Sequence, residues 1–177
     1  MVPFALAAFL ADRDRGRLKS RLIGAVLGGV PRAGVEAVTR RFCERRGSQL
    51  YRAEALAALE RHRAAGDYLV LLSASADCYV RELGRRLRVD EVICTELEWR
   101  GEALDGRLAT PNRRGEEKTR CVQRLKAAHP GARISAYGNA RSDLHHLQRV
   151  DHGVLVNGST GARRAARELG LPMTDWR

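Results

Sequence analysis

The sequence predicts an α/β fold built on a parallel sheet, for two reasons. From Tyr68 onward, short apolar runs alternate with helical segments, the repeat expected of parallel strands joined by helices. Ahead of them, Met1 to Gly66 reads as helices alone, separated by Gly28-Gly29-Val30-Pro31 and Gly47-Ser48.

The predicted helices of this first stretch are Phe4 to Leu27, Val35 to Arg46 and Ala53 to Ala65. Tyr68 to Leu72 follows Gly66-Asp67 as a continuous apolar run bounded by turn residues, which reads as a buried parallel strand. Ser73-Ala74-Ser75-Ala76-Asp77 then forms the turn, with Ser75 or Asp77 as N-cap of an amphipathic helix to Arg86. Strands are predicted at Glu91 to Thr95, as a pair around Glu98 to Ala109, at Arg133 to Tyr137, and at Gly153 to Val156. A helix from Glu116 to Ala128 carries Val122, Leu125 and Ala128 at core spacing.

Three places along this pattern carry chemistry. A Ser at the end of a buried strand, followed by a helix N-terminus, can hold a phosphate through its hydroxyl and nearby N–H groups, which singles out Ser73. Lys118 stands in the first turn of its helix, where its charge opposes the helix dipole unless an anion lies beside it. Gly138-Asn139-Ala140-Arg141-Ser142-Asp143 places two oxygen-bearing side chains four residues apart after a strand, a shelf of the hard ligands that Mg²⁺ prefers. Ligands of open parallel sheets bind beyond the carboxyl ends of strands, where Ser73 and Gly138 are both expected.

In this order, the segments resemble the haloacid dehalogenase superfamily in its phosphoserine-phosphatase-like branch, subfamily IB. Leu71-Leu72-Ser73-Ala74-Ser75 is similar to that family's second motif and Gly115-Glu116-Glu117-Lys118 to its third. Tyr137-Gly138-Asn139 through Asp143 is similar to the fourth, usually Gly-Asp-x-x-x-Asp, with Asn139 where most members carry Asp. Pro111-Asn112-x-x-Gly115-Glu116-x-Lys118 is typical of one bacterial subgroup, and the likeness runs from about Met1 to Asn157.

The resemblance implies a HAD-like Rossmannoid sheet with a helical cap inserted after the first strand, the cap over 1–50 and the core over 51–177. It implies Mg²⁺-dependent hydrolysis of a phosphomonoester through an aspartyl-phosphate. Ser73 and the N–H of Ala74 would hold the transferring oxygens, Lys118 would neutralise charge, and Asn139 and Asp143 would position the metal, Asp143 through a water. The substrate would be a small phosphorylated metabolite or a phospholipid head group.

The family's first motif, Asp-x-Asp-Gly-Thr, which supplies the nucleophile, is missing. Asp12-Arg13-Asp14-Arg15-Gly16 does not replace it: the run before it is rich in Ala and Leu, and arginines stand where small residues are needed. Asp12 and Asp14 are therefore assigned to a solvated helix end. The expectation is that the sequence begins just after its own catalytic loop, with the first strand absent. In the resembling fold that strand is central, so its loss would unpair two apolar strands at roughly 1–3 kcal/mol per buried backbone group. The chain should then fold poorly unless the cap's first helix or a partner fills the slot.

Composition narrows the setting. The chain has 177 residues, enough for one sizeable core, and four cysteines without Cys-x-x-Cys spacing, which suits a reducing cytoplasm. The apolar stretch from Val2 to Ala11 is too short to span a bilayer and has no basic leader. The net charge is +11, with clusters at Arg13 to Arg21, Arg40 to Arg46 and Arg61-His62-Arg63. A non-catalytic alternative follows: an anion-binding remnant that meets nucleic acid or an acidic membrane surface through a basic cap. The enzyme reading itself expects no specific nucleic acid and at most peripheral membrane contact.

With the nucleophile motif missing, the 177-residue chain is expected to show no phosphatase activity. Turnover by this chain that disappears in Asp12→Asn would overturn the assignment of Asp12 to a helix end.

Overall fold

A computed structural model describes residues 14–177. The expectations placed on Phe4 to Ala11 and on Asp12 lie outside the described residues. The chain divides into two compact units: the described residues up to Leu50 with Tyr68–Arg113, and Tyr51–Asp67 with Arg114–Arg177.

In the first unit, helix α1 spans Arg15–Leu27. Of the helix expected from Phe4 to Leu27, the described part starts after Asp14, which has extended backbone (φ −79°, ψ 102°) and caps α1. Its Oδ1 accepts from the N–H groups of Gly16 at 2.7 Å and Arg17 at 3.1 Å. Helix α2, Arg32–Leu50, is longer than expected at both ends. It buries Val35, Thr39 and Cys43 at i,i+4 spacing. Strand β1, Val70–Ala76, pairs in parallel with β2, Glu91–Thr95, matching Val70 to Glu91 and Leu72 to Ile93. The register then shifts before Ala76 meets Thr95.

Ser73 thus lies inside β1 at a break in its pairing, not in a turn after it. Helix α4, Asp77–Leu87, starts on Ala76 without a side-chain cap, so neither Ser75 nor Asp77 caps it; helix α3, Ala53–Ala64, belongs to the second unit. Strands β3, Leu97–Arg100, and β4, Ala103–Leu108, form an antiparallel hairpin. Val35, Ala76, Leu97 and Leu104 form the unit's buried cluster, with Ile23, Leu27 and Trp99 packed against it.

In the second unit, α3 spans Ala53–Ala64 and α5 spans Glu116–Ala128. Strands β5, Ser135–Gly138, β6, His152–Val156, and β7, Met173–Thr174, form a parallel sheet in that order. A 3₁₀ turn over Arg141–Asp143 and the short helix α6, Leu144–Leu147, join β5 to β6. Helix α7, Thr160–Glu168, capped by the Ser159 hydroxyl, leads to β7. The core is Leu144, Leu147, Leu155, Ala162 and Ala166. The fold is therefore the expected α/β class with parallel strands. Among the described residues, β1 and β5 each have a strand partner on one edge only.

One contact in the first unit depends on glycine. Gly106 on β4 has φ +90°, and a Cβ there would sit 2.3 Å from the Cα of Gly24 on α1. Gly106→Ala combines backbone strain with this clash. It should lower stability by roughly 2–4 kcal/mol, read as a fall in the urea midpoint without a change in slope.

Candidate functional site

The predicted site residues fall in both units. Ser73 and Ala74 occupy the irregular part of β1 in the first. The Ser73 hydroxyl oxygen accepts from the N–H of Ser75 at 3.1 Å. The carbonyl of Ala74 has left the β1–β2 ladder's regular register and takes side-chain donors instead: the Thr95 hydroxyl at 2.9 Å and the Lys19 ammonium from α1. Lys19 also donates to Asn112 Oδ1. Thr95 is fully buried, and its hydroxyl oxygen accepts from the N–H of Arg113 at 3.1 Å. Sequence reasoning missed Lys19, Thr95 and Asn112 as a group. The signals were slight: Lys19 is one of three lysines in an arginine-rich chain, and Asn112 belongs to the Pro111-Asn112 segment.

The second unit brings together Lys118, Asp143 and the backbone of Asn139. Gly115, with φ +57° and ψ −121°, turns the chain into α5 and sets Lys118 in its first turn. Lys118 Nζ donates to Asp143 Oδ1 at 2.8 Å, and the two side chains are only 14% and 5% exposed. The anion that the helix dipole demands beside this lysine is Asp143. The other carboxylate oxygen, Oδ2, accepts from the N–H groups of Asn139 at 3.2 Å and Ala140 at 3.0 Å. Gly138 serves this closure by lacking a side chain, without a positive φ: a Cβ there would lie 2.7 Å from Asp143 Cβ.

Burial alone would raise the Asp143 pKa. The hydrogen bond and charge of Lys118, the Ala140 N–H and the nearby His146 outweigh it, so the carboxyl lies below its usual range. His146 on α6 is itself buried, and among the described residues its Nδ1 has no hydrogen-bond partner. Burial, together with the charge of Lys118, pushes its pKa down to about 4. The sequence offered His145-His146 only as neighbours of the loop; the fold buries His146 and leaves His145 exposed. A further constellation joins α3 to β5. His62 Nδ1 is 2.6 Å from Asp67 Oδ2 and its Nε2 is 2.9 Å from the hydroxyl of Tyr137.

The residues of this unit fit Mg²⁺ as part of a ligand set. Asn139 is exposed and can offer its amide oxygen directly. Both Asp143 oxygens are engaged by N–H donors, so Asp143 fits a place behind a bound water. Mg²⁺ commonly keeps several waters and takes few protein ligands. Among the described residues no cluster of three or more His, Cys, Asp or Glu forms a ready-made metal cage.

Known proteins show what the chain as a whole is similar to. The family model described as haloacid dehalogenase-like hydrolase matches residues 2–148. Protein CicA of Caulobacter vibrioides is 34% identical over 150 residues, 83% of this chain and 66% of that protein. A Mycobacterium tuberculosis protein named as a probable phosphatase is 28% identical over 123 residues, 68% of this chain and 42% of its own. The chain thus spans just under two thirds of the first of these curated relatives and less of the second. A crystal structure of a Bordetella pertussis protein of unknown function superposes with a TM-score of 0.85 at 20% identity, over 98% of this chain and 80% of that one. A probable phosphoserine phosphatase from Vibrio cholerae gives 0.74 at 14% identity, over 98% and 51%. Both likenesses are of fold.

The buried histidine makes stability depend on pH in a fixed sense. As pH falls, the unfolded chain protonates His146 near its ordinary 6.5, before the folded one does near 4. Stability therefore declines between those values, by roughly 3 kcal/mol. Urea midpoints of the wild-type chain should fall across this window, and His146→Gln should flatten the fall.

Proposed function

The chain belongs to the haloacid dehalogenase-like hydrolase family, and on that premise we propose that its chemistry is Mg²⁺-dependent hydrolysis of a phosphomonoester through an aspartyl-phosphate. The observation that carries the proposal is the buried Lys118–Asp143 pair tied to the Asn139 and Ala140 backbone. A lysine held at 14% exposure beside a loop of hard oxygen donors suits a phosphoryl group.

In this reading, an Asp carboxylate attacks phosphorus and the ester oxygen leaves with a proton. Water then attacks the acyl phosphate and releases inorganic phosphate. The attacking Asp belongs to an Asp-x-Asp-Gly-Thr motif that these 177 residues do not contain. Ser73 donates its hydroxyl to a transferring oxygen, and the N–H of Ala74 adds a second donor. Lys118 lowers the cost of bringing two anions together, and Asp143 keeps its ammonium in place. Mg²⁺, when bound through Asn139 and through a water on Asp143, supplies further charge neutralisation. Catalysis of this kind is mostly positioning and electrostatic stabilisation.

The helices before Leu50 act as the cap that chooses the leaving group, a small phosphorylated metabolite or a phospholipid head group. The free thiols Cys43, Cys78, Cys94 and Cys121 suit a reducing cytoplasm. Among the described residues no helix is long and apolar enough to cross a membrane. The net charge of +11 favours a second reading, binding of anionic partners without turnover.

The test is hydrolysis of p-nitrophenyl phosphate with Mg²⁺, by this chain and by a form extended upstream to the preceding in-frame start. Activity is expected only in the extended form. There, EDTA should abolish it, and Ser73→Ala and Lys118→Met should each lower kcat by about 10²–10³. Activity in neither form, with salt-sensitive anion binding in both, would replace the enzyme by the binding protein.

A further inference from the structure

Within the second unit, Tyr137 on β5 meets a histidine that is itself held by a carboxylate. His62, near the end of α3, has Nδ1 2.6 Å from Asp67 Oδ2 and Nε2 2.9 Å from the Tyr137 hydroxyl. A carboxylate only accepts, so Nδ1 carries the proton. In the neutral ring Nε2 is then the acceptor, and the Tyr137 hydroxyl donates to it. The hydroxyl thus faces a base whose tautomer is set by a third group, the arrangement that activates weak oxygen nucleophiles. The Tyr137 ring is fixed as well. His62 meets it edge-on with centroids 5.7 Å apart, and Trp176 lies at 5.3 Å, tilted by 42°. Trp176 is anchored in turn: its N–H donates to Asn157 Oδ1 at 2.9 Å, and its carbonyl accepts from Asn157 Nδ2 at 3.0 Å and from Arg52 at 3.1 Å. The three polar side chains remain open to a reagent, with Tyr137 38% exposed and the side chains of His62 and Asp67 27% and 53% exposed.

We propose that Tyr137, with His62 as general base and Asp67 as positioning residue, is an acyl acceptor for aryl esters. The Tyr137 oxygen forms a bond to the ester's carbonyl carbon while its proton passes to His62 Nε2. The bond from that carbon to the aryl oxygen breaks, and His62 returns the proton to the departing phenol. The products are an O-acyl Tyr137 and a phenol, so the step balances with the ester as its only co-reactant. A phenolic nucleophile displaces only leaving groups no more basic than itself, which selects aryl over alkyl esters. Trp176, half-buried beside Tyr137, supplies an aromatic neighbour for the departing ring. This chemistry uses neither Ser73 nor Lys118 and stands apart from the phosphoryl reading.

The experiment is acetylation of the 177-residue chain by p-nitrophenyl acetate. EDTA is present throughout, and the rate at each tyrosine is read by peptide mass spectrometry. Tyr68 is the reference, because at 53% it is more exposed than Tyr137. Wild type should acetylate Tyr137 about 10² faster than Tyr68, the scale of general base catalysis. Hydroxylamine should then remove the acetyl group, as it does from phenolic esters. His62→Gln should bring the ratio close to one. Asp67→Asn, whose amide favours the wrong imidazole tautomer, should lower it by about tenfold. Tyr137→Phe keeps the ring packing and should abolish the fast phase of p-nitrophenol release. A variant that has unfolded labels its tyrosines alike and shows it at Tyr68; His62→Asn then replaces His62→Gln. Acetylation of Tyr68 as fast as Tyr137 in wild type, or a ratio unchanged when His62 is replaced, would overturn the assignment. So would release of p-nitrophenol with the acetyl group found on His62 or on lysines and not on Tyr137.

Discussion

The carboxylate of Asp143 is the point on which the second unit's candidate site depends. One oxygen neutralises Lys118 at the start of α5, and the other gathers the N–H groups that follow β5. A single buried anion thus joins a helix N-terminus to a strand end. Removing its charge would leave a buried lysine without this partner and two backbone donors without their acceptor, and such losses cost more than the bonds contributed. Gly138 belongs to the same arrangement, because the loop closes only where no side chain intervenes. Phosphate or metal chemistry at Asn139 would inherit its geometry from this knot.

The first unit builds its part differently. Its β1 strand keeps parallel register for three residues and then slips before Ala76 pairs with Thr95. Such irregularities re-aim side chains near functional sites. Here the slip releases the Ala74 carbonyl to Thr95 and Lys19, and the strand's small residues Ser73, Ala74 and Ser75 can follow the distorted path without a bulky side chain to bury. Thr95 suits this task because its methyl fits a fully buried place while its hydroxyl both donates to Ala74 and accepts from Arg113.

Much of this was legible in the order of residues along the chain. The strands at Glu91 to Thr95, around Glu98 to Ala109 and at Gly153 to Val156 lie where their apolar runs place them, and the helix carrying Lys118 starts at Glu116 as expected. Lys118, as the misplaced cation of a first turn, already demanded an anion. Which anion was hidden, because Asp143 is 25 residues away and charge patterning reads only local neighbours. Two local readings failed. The cap of α4 is a backbone matter at Ala76, and α1 starts after Asp14, whose carboxylate is better used as a cap than on a helix surface.

The sequence by itself determined the fold class and the family resemblance, and through that resemblance it singled out Ser73, Ala74, Lys118, Asn139 and Asp143 as candidates, because these follow from periodicity, turn residues and motif order. Only the tertiary structure decided which of those groups are already spent on one another. It showed that Asp143 has no idle carboxylate oxygen, that His146 is buried and Asn139 exposed, and that Lys19 lies on Ala74. The physical reason is that hydrogen-bond partners and desolvation are set by packing between distant segments. A one-dimensional pattern states which groups are present, and three-dimensional packing settles which of them meet.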